Sequence, residues 1–155
     1  MPNKDWKSLS EMSKQKLGAY GEFYAKMEFA SFGFDVFTSE VDDHGIDFVA
    51  KGKKGFYEIQ VKSVQSTTST VYMEKKKFDI NNKDLYLCLL IFKQDKLPDL
   101  YLIAASDWSY ENALLKSRDY NKPGQTSPPE WGINISKRNM PLLDKYLFEN
   151  IIRNM

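Results

Sequence analysis

Apolar residues at Leu17, Tyr20, Phe23, Tyr24, Met27 and Ala30 recur at steps of three and four. That rhythm predicts an amphipathic helix over 10–31, entered at Ser10. Gly18 and Gly21 interrupt it, each costing about 1 kcal/mol relative to alanine. Glycines so placed mark close approach of another backbone. Gly33 then supplies a C-terminal stop. β-branched and aromatic residues predict strands over 34–39, 46–51 and 56–63. The Asp42-Asp43-His44-Gly45 turn separates the first two. The tight Gly52-Lys53-Lys54-Gly55 turn joins the second and third as an antiparallel hairpin.

Further along, 64–69 reads as a Ser/Thr-rich loop, 70–73 as a short strand and 75–80 as a helical turn. The run 85–92 is nearly all apolar, as in a central strand covered on both faces. A strand follows over 99–105, and Ser106 is placed to cap a helix over 107–116. Pro and Gly make 118–130 a loop, 131–136 returns as an edge strand, and Pro141 opens a last helix over 142–152. This order implies an α/β (α+β) fold with one mixed sheet flanked by helices. The chain reads as a single domain, 1–155, with its core over about 10–105 and a C-terminal loop and helix over 118–153.

The third strand carries the most informative alternation. Successive strand side chains point to opposite faces, so Tyr57, Ile59 and Val61 share one and Glu58, Gln60 and Lys62 the other. Burying three such polar groups without partners would cost several kcal/mol. The row is therefore either an exposed polar face or a site.

Composition narrows the setting. A chain of 155 residues buries roughly 68–70% of its unfolded surface and folds without a disulfide or structural metal. Its 42% hydrophobic and 14% aromatic content excludes a disordered chain. The single cysteine, Cys88, lies in the apolar run 86–92, so it reads as a core thiol in a reducing compartment. The first seven residues lack the apolar segment of a signal peptide, and no apolar run approaches the roughly 20 residues of a membrane span. A cytoplasmic, soluble protein with no membrane association is expected. The net charge of +1 excludes little, but seven lysines between Lys51 and Lys77 face only two acids, Glu58 and Glu74. That local field attracts a polyanion, and a solvated surface is the plain alternative.

A hard divalent ion such as Mg²⁺ takes oxygen ligands, typically one or two carboxylates with waters and substrate phosphate. Asp47 with Glu58 or Gln60, on neighbouring strands, fits that need. Glu22 approaches from the helix packed over them, and Lys62 is placed to orient water or stabilise charge on a phosphate. Asp42, Asp43 and His44 are explained by their turn. Trp6, Trp108 and Trp131 read as core or partly buried residues. Nucleophile-elbow, phosphate-loop and zinc-ligand spacings are absent.

Gly18-x-x-Gly21-Glu22, then Gly45-Ile46-Asp47-Phe48, then Glu58-Ile59-Gln60-Val61-Lys62-Ser63 resemble the PD-(D/E)xK nuclease superfamily. The similarity is to its Q-x-K branches, the Holliday-junction-resolvase-like and type IV restriction-like domains, and it covers the first 65 residues. It implies a restriction-endonuclease-like αβββαβ core and an Mg²⁺- or Mn²⁺-dependent endonuclease that hydrolyses phosphodiester bonds in DNA. It implies catalytic roles for Lys62, Asp47, Gln60 and Glu22, and metal ligands among Asp47, Glu58, Gln60 and Glu22. Lys51, Lys53, Lys54, Lys75, Lys76 and Lys77 would contact the phosphate backbone, and a homodimer follows by analogy. Ile46 stands where the family has proline. Gln60 stands where it has a carboxylate, which weakens metal binding unless Glu58 compensates. The alternative is an inactive nuclease-fold module that binds nucleic acid or a protein partner.

Overall fold

The computed structural model describes residues 12–38 and 45–155. Ser10 and the turn residues Asp42, Asp43 and His44 lie outside the described residues. The first helix, α1, runs Lys14–Ser31, with the Ser13 hydroxyl accepting from the Lys16 N–H at 3.2 Å as its N-cap. It stops at Gly33, whose φ of +88° is open to glycine, and the Gly33 N–H donates to Ala30 at 2.9 Å.

The strands β1 (Asp35–Phe37), β2 (Phe48–Gly52), β3 (Gly55–Gln65), β4 (Thr70–Glu74), β5 (Leu85–Phe92) and β6 (Asp99–Ala104) follow, then β7 (Leu115–Arg118) and β8 (Glu130–Asn134). Five of them form a sheet in the order β1-β2-β3-β5-β6, and β4-β8-β7 form a second, three-stranded sheet. The hairpin expected around Gly52–Gly55 is antiparallel, while β3 and β5 are parallel. Parallel neighbours need a long crossover. Here residues 66–84 make it, carrying β4 out to the second sheet on the way.

The large sheet is buried on both faces. On one side α1 and the C-terminal segment cover Ile59, Cys88, Leu90 and Phe92, with Phe29 and Phe148 packed edge-on at 5.2 Å. On the other, Leu85, Leu87, Leu89 and Ile91 meet Val71, Met73 and Ile133 of the small sheet. β5 contributes to both clusters, as its unbroken apolar run predicts. Each fully buried leucine of this kind stabilises the fold by about 1.5–3 kcal/mol.

The α+β architecture stands, and three local expectations do not. The second sheet adds to the single mixed sheet, and β8, expected at an edge, is its central strand. The helix expected over 107–116 is a 3₁₀ turn, Ala105–Ser109, followed by β7. Trp108 and Leu114 both enter the core, and their separation does not match one helix face. The Asn112 side chain instead accepts from the Leu114 and Leu115 N–H groups at 2.8 Å, which fixes a turn. The last helix is divided into α2 (Met140–Leu143) and α3 (Phe148–Ile152), because Leu147 adopts an extended conformation and bridges Tyr101. No helix among the described residues is long and apolar enough to cross a membrane.

Candidate active site

The geometry of interest lies where β2 and β3 part. Their ladder ends at the Phe48–Ile59 pair, while β3 continues to Gln65 against β5 alone. The Asp47 N–H makes one further bond, to the Ile59 carbonyl at 2.8 Å. At the next position the Val61 N–H has no β2 carbonyl to meet, and the Asp47 carboxylate takes its place, Oδ2 accepting at 2.6 Å. A backbone N–H donated to a charged acceptor is a strong, orienting bond. Asp47 thus closes the edge of β3 and is held there by it.

Asp47 lies one residue before β2, beside the Phe48–Ile59 pair that ends the ladder, and its carboxylate reaches the Val61 N–H, next in sequence to Gln60. Gln60 is only 7% exposed, and among the described residues its Oε1 has no hydrogen-bond partner. Leaving such an acceptor unsatisfied costs about 1–3 kcal/mol, and an orphan of this kind points to a missing water or ion. Lys62 follows on the same face, about 6–7 Å further along the strand. It is partly buried, and among the described residues its ammonium has no hydrogen bond or ion pair.

The remaining expected ligands are held elsewhere. Glu58 sits level with Val49, nearer the hairpin, and its Oε2 accepts from the Asn82 side chain. Glu22 pairs with Lys26 one helical turn on, at 3.1 Å. Its helix covers the face of Ile59 and Val61, opposite that of Gln60 and Lys62. Among the described residues no three His, Cys, Asp or Glu side chains gather as a metal-ligand cluster. Of the expected ligands, these contacts leave the Asp47 carboxylate and the buried Gln60 amide oxygen as a pair of oxygen groups near the parting strands. That pair suits an ion that keeps most of its waters, as Mg²⁺ does.

The lysines separate in the same way. Lys51, Lys53 and Lys54 lie at the hairpin end of β3, about 17 Å along the strand from Gln60, and Lys54 is bonded to the Asn154 carbonyl at 2.8 Å. Lys75 is structural: it reaches Ser117 and Asp119, each at 2.6 Å, and stands 4.0 Å above the Trp131 ring. Lys76 is 3.4 Å from Glu74. Lys77 comes nearest to the parting strands, since a Cβ on Gly45 would lie 3.0 Å from its carbonyl oxygen.

α1 owes its position to one glycine. A Cβ at Gly21 would stand 1.7 Å from the Ser63 Oγ, whereas one at Gly18 would meet nothing within 4 Å. Close approach is therefore required at Gly21 and not at Gly18. Strand alternation gave no sign of Asn82, which fixes Glu58 from a turn before β5.

No protein-family model matches the chain, and no curated protein is similar to it in sequence. Its structure is similar to that of Hjc, a Holliday junction resolvase from the archaeal hyperthermophile Archaeoglobus fulgidus. The identity is 12% and the TM-score 0.52, over 88% of this chain and 95% of that one. A bacterial homing endonuclease, I-Ssp6803I, is similar at 15% identity and a TM-score of 0.45, over 64% of this chain and 71% of that one. The first shows the fold, which is restriction-endonuclease-like.

Proposed function

We propose that this chain is a metal-dependent nuclease that hydrolyses phosphodiester bonds in DNA. The observation that carries the reading is the buried Gln60 Oε1, without a hydrogen-bond partner among the described residues and adjacent in sequence to Val61, whose N–H anchors the Asp47 carboxylate. Lys62, uncompensated, comes next on the same face. The fold shared with a Holliday junction resolvase agrees with it.

In this reading Asp47 and Gln60 hold a divalent ion. Such an ion, when bound, supplies Lewis acidity and a bound water of lowered pKa. The Val61 N–H keeps the carboxylate from rotating, so the site is organised before substrate arrives. The Lys62 ammonium donates to a non-bridging phosphate oxygen and stabilises the negative charge that builds there as water attacks. Glu58, fixed by Asn82, adds negative charge one step along the same face.

The test is cleavage of linear, nicked and branched DNA with Mg²⁺ or Mn²⁺. Wild type is expected to cut at least one form. Asp47→Asn, which keeps an acceptor for the Val61 N–H, and Lys62→Ala are each expected to slow cutting by about 10²-fold or more, with melting temperatures close to wild type. Cleavage unchanged in both variants overturns the assignment. DNA binding without cleavage of any form would favour the inactive module.

A further inference from the structure

A groove that shares Lys62 with the proposed cleavage site extends from it toward α1. It lies between the first turn of α1 and the connection from β3 to β4, with a volume of about 440 Å³. Lys14, Lys62, Thr67, Thr68, Thr70 and Tyr72 line it, over an apolar floor that includes Leu17, Val64 and Val71. Among the described residues no carboxylate lines it. Among the described residues neither lysine has a hydrogen bond or ion pair.

The charge placement runs against what stability alone favours. The N-terminal end of a helix is electropositive and prefers acidic side chains. The first turn of α1 carries Lys14 and Lys16 and no acid. Two lysines lining one groove, one of them in the first turn of a helix, favour an anion there. Tyr72 also lines the groove, and an added Cβ at Gly132 would come within 3.2 Å of two of its ring carbons. The Arg118 guanidinium stands 5.1 Å from the centre of that ring and extends the basic track outward.

We propose that this groove seats the DNA backbone adjoining the bond to be cut. Phosphates pass from Lys62 to Lys14 and the threonine hydroxyls, so the substrate extends beyond the cut on the α1 side. The location relative to the cut rests on the nuclease reading. The groove's affinity for DNA does not.

The test is fluorescence anisotropy with a short labelled DNA duplex in EDTA, where no cleavage occurs. Lys14→Glu, at an exposed position, is expected to weaken binding at least about fivefold. Lys14→Ala is expected to reduce the slope of log affinity against log salt by about 0.9. Lys145→Glu, exposed at the β6 edge of the sheet, is expected to change affinity less than about twofold. Wild-type affinity in Lys14→Glu, an equal loss in Lys145→Glu, or no binding by wild type each overturns the proposal. A selective loss in Lys14→Glu supports the groove even if no metal produces cleavage, in which case only the nuclease reading falls. Cleavage and binding both unchanged in Lys14→Glu leave the nuclease and remove the groove.

Discussion

On the face of the large sheet that meets the small one, β5 presents Leu85, Leu87 and Leu89, while β3, at equal register, presents Glu58, Gln60 and Lys62. The leucines are fully buried, and Gln60 is nearly as buried as they are. Each leucine stabilises the fold by about 1.5–3 kcal/mol, whereas the unpartnered Gln60 oxygen costs about 1–3 kcal/mol. Selection for packing alone would place apolar side chains on both strands. The polar row lies beside the point where β2 leaves β3 and Asp47 caps the open edge. On the nuclease reading, the difference between the two strands is stability given up locally, where the proposed site lies.

Exchanging the two rows breaks the comparison most severely. Leu87→Gln sets a second amide beside Gln60 in the core and is expected to destabilise the protein by about 3–5 kcal/mol in chemical denaturation. Gln60→Leu converts β3 toward β5 and is expected to act in the opposite sense, raising stability by about 1–3 kcal/mol. Gly21→Ala forces α1 away from Ser63 and is expected to cost about 1–3 kcal/mol, part of it recovered when Ser63→Ala removes the clashing hydroxyl.

The smallest effect concerns Cys88, on the α1 face of β5. Burial, with the Asp47 and Glu28 carboxylates adding to it, pushes its thiol above the ordinary range. The native thiol keeps its proton at pH values where the unfolded chain loses it. The unfolded state then binds fewer protons, so stability falls as pH rises through the free thiol's value near 8.5. The loss is about 1 kcal/mol by pH 9. Denaturation curves from pH 7 to 9.5 measure it, and the native thiol is expected to resist maleimide until the chain unfolds.

Period-two alternation made the row of Glu58, Gln60 and Lys62 legible, and the glycine-flanked turn made the β2–β3 hairpin legible, because both depend on neighbouring residues. The second sheet was hidden. Leu114 and Leu115 sit in a segment whose helical content outweighs them in sequence, and only pairing of Leu115 with Ile133 draws the chain into β7. The break at Leu147 likewise depends on Tyr101, distant in sequence. Within the site, the Asp47 carboxylate reaches β3 through the Val61 N–H, a side-chain bond that the hairpin alone does not imply. The commitments of Glu58 to Asn82, Glu22 to Lys26 and Lys75 to Asp119 are side-chain choices that strand alternation does not carry.

Calorimetric titration with Mn²⁺ tests the central claim most directly. Wild type, alone or with uncleaved DNA, is expected to bind one ion, and the heat is expected to vanish in both Asp47→Asn and Gln60→Leu while each variant remains folded. No Mn²⁺ binding by wild type in the presence of DNA, or binding unchanged in Gln60→Leu, would contradict the claim that the interrupted apolar face of β3 is kept for an ion.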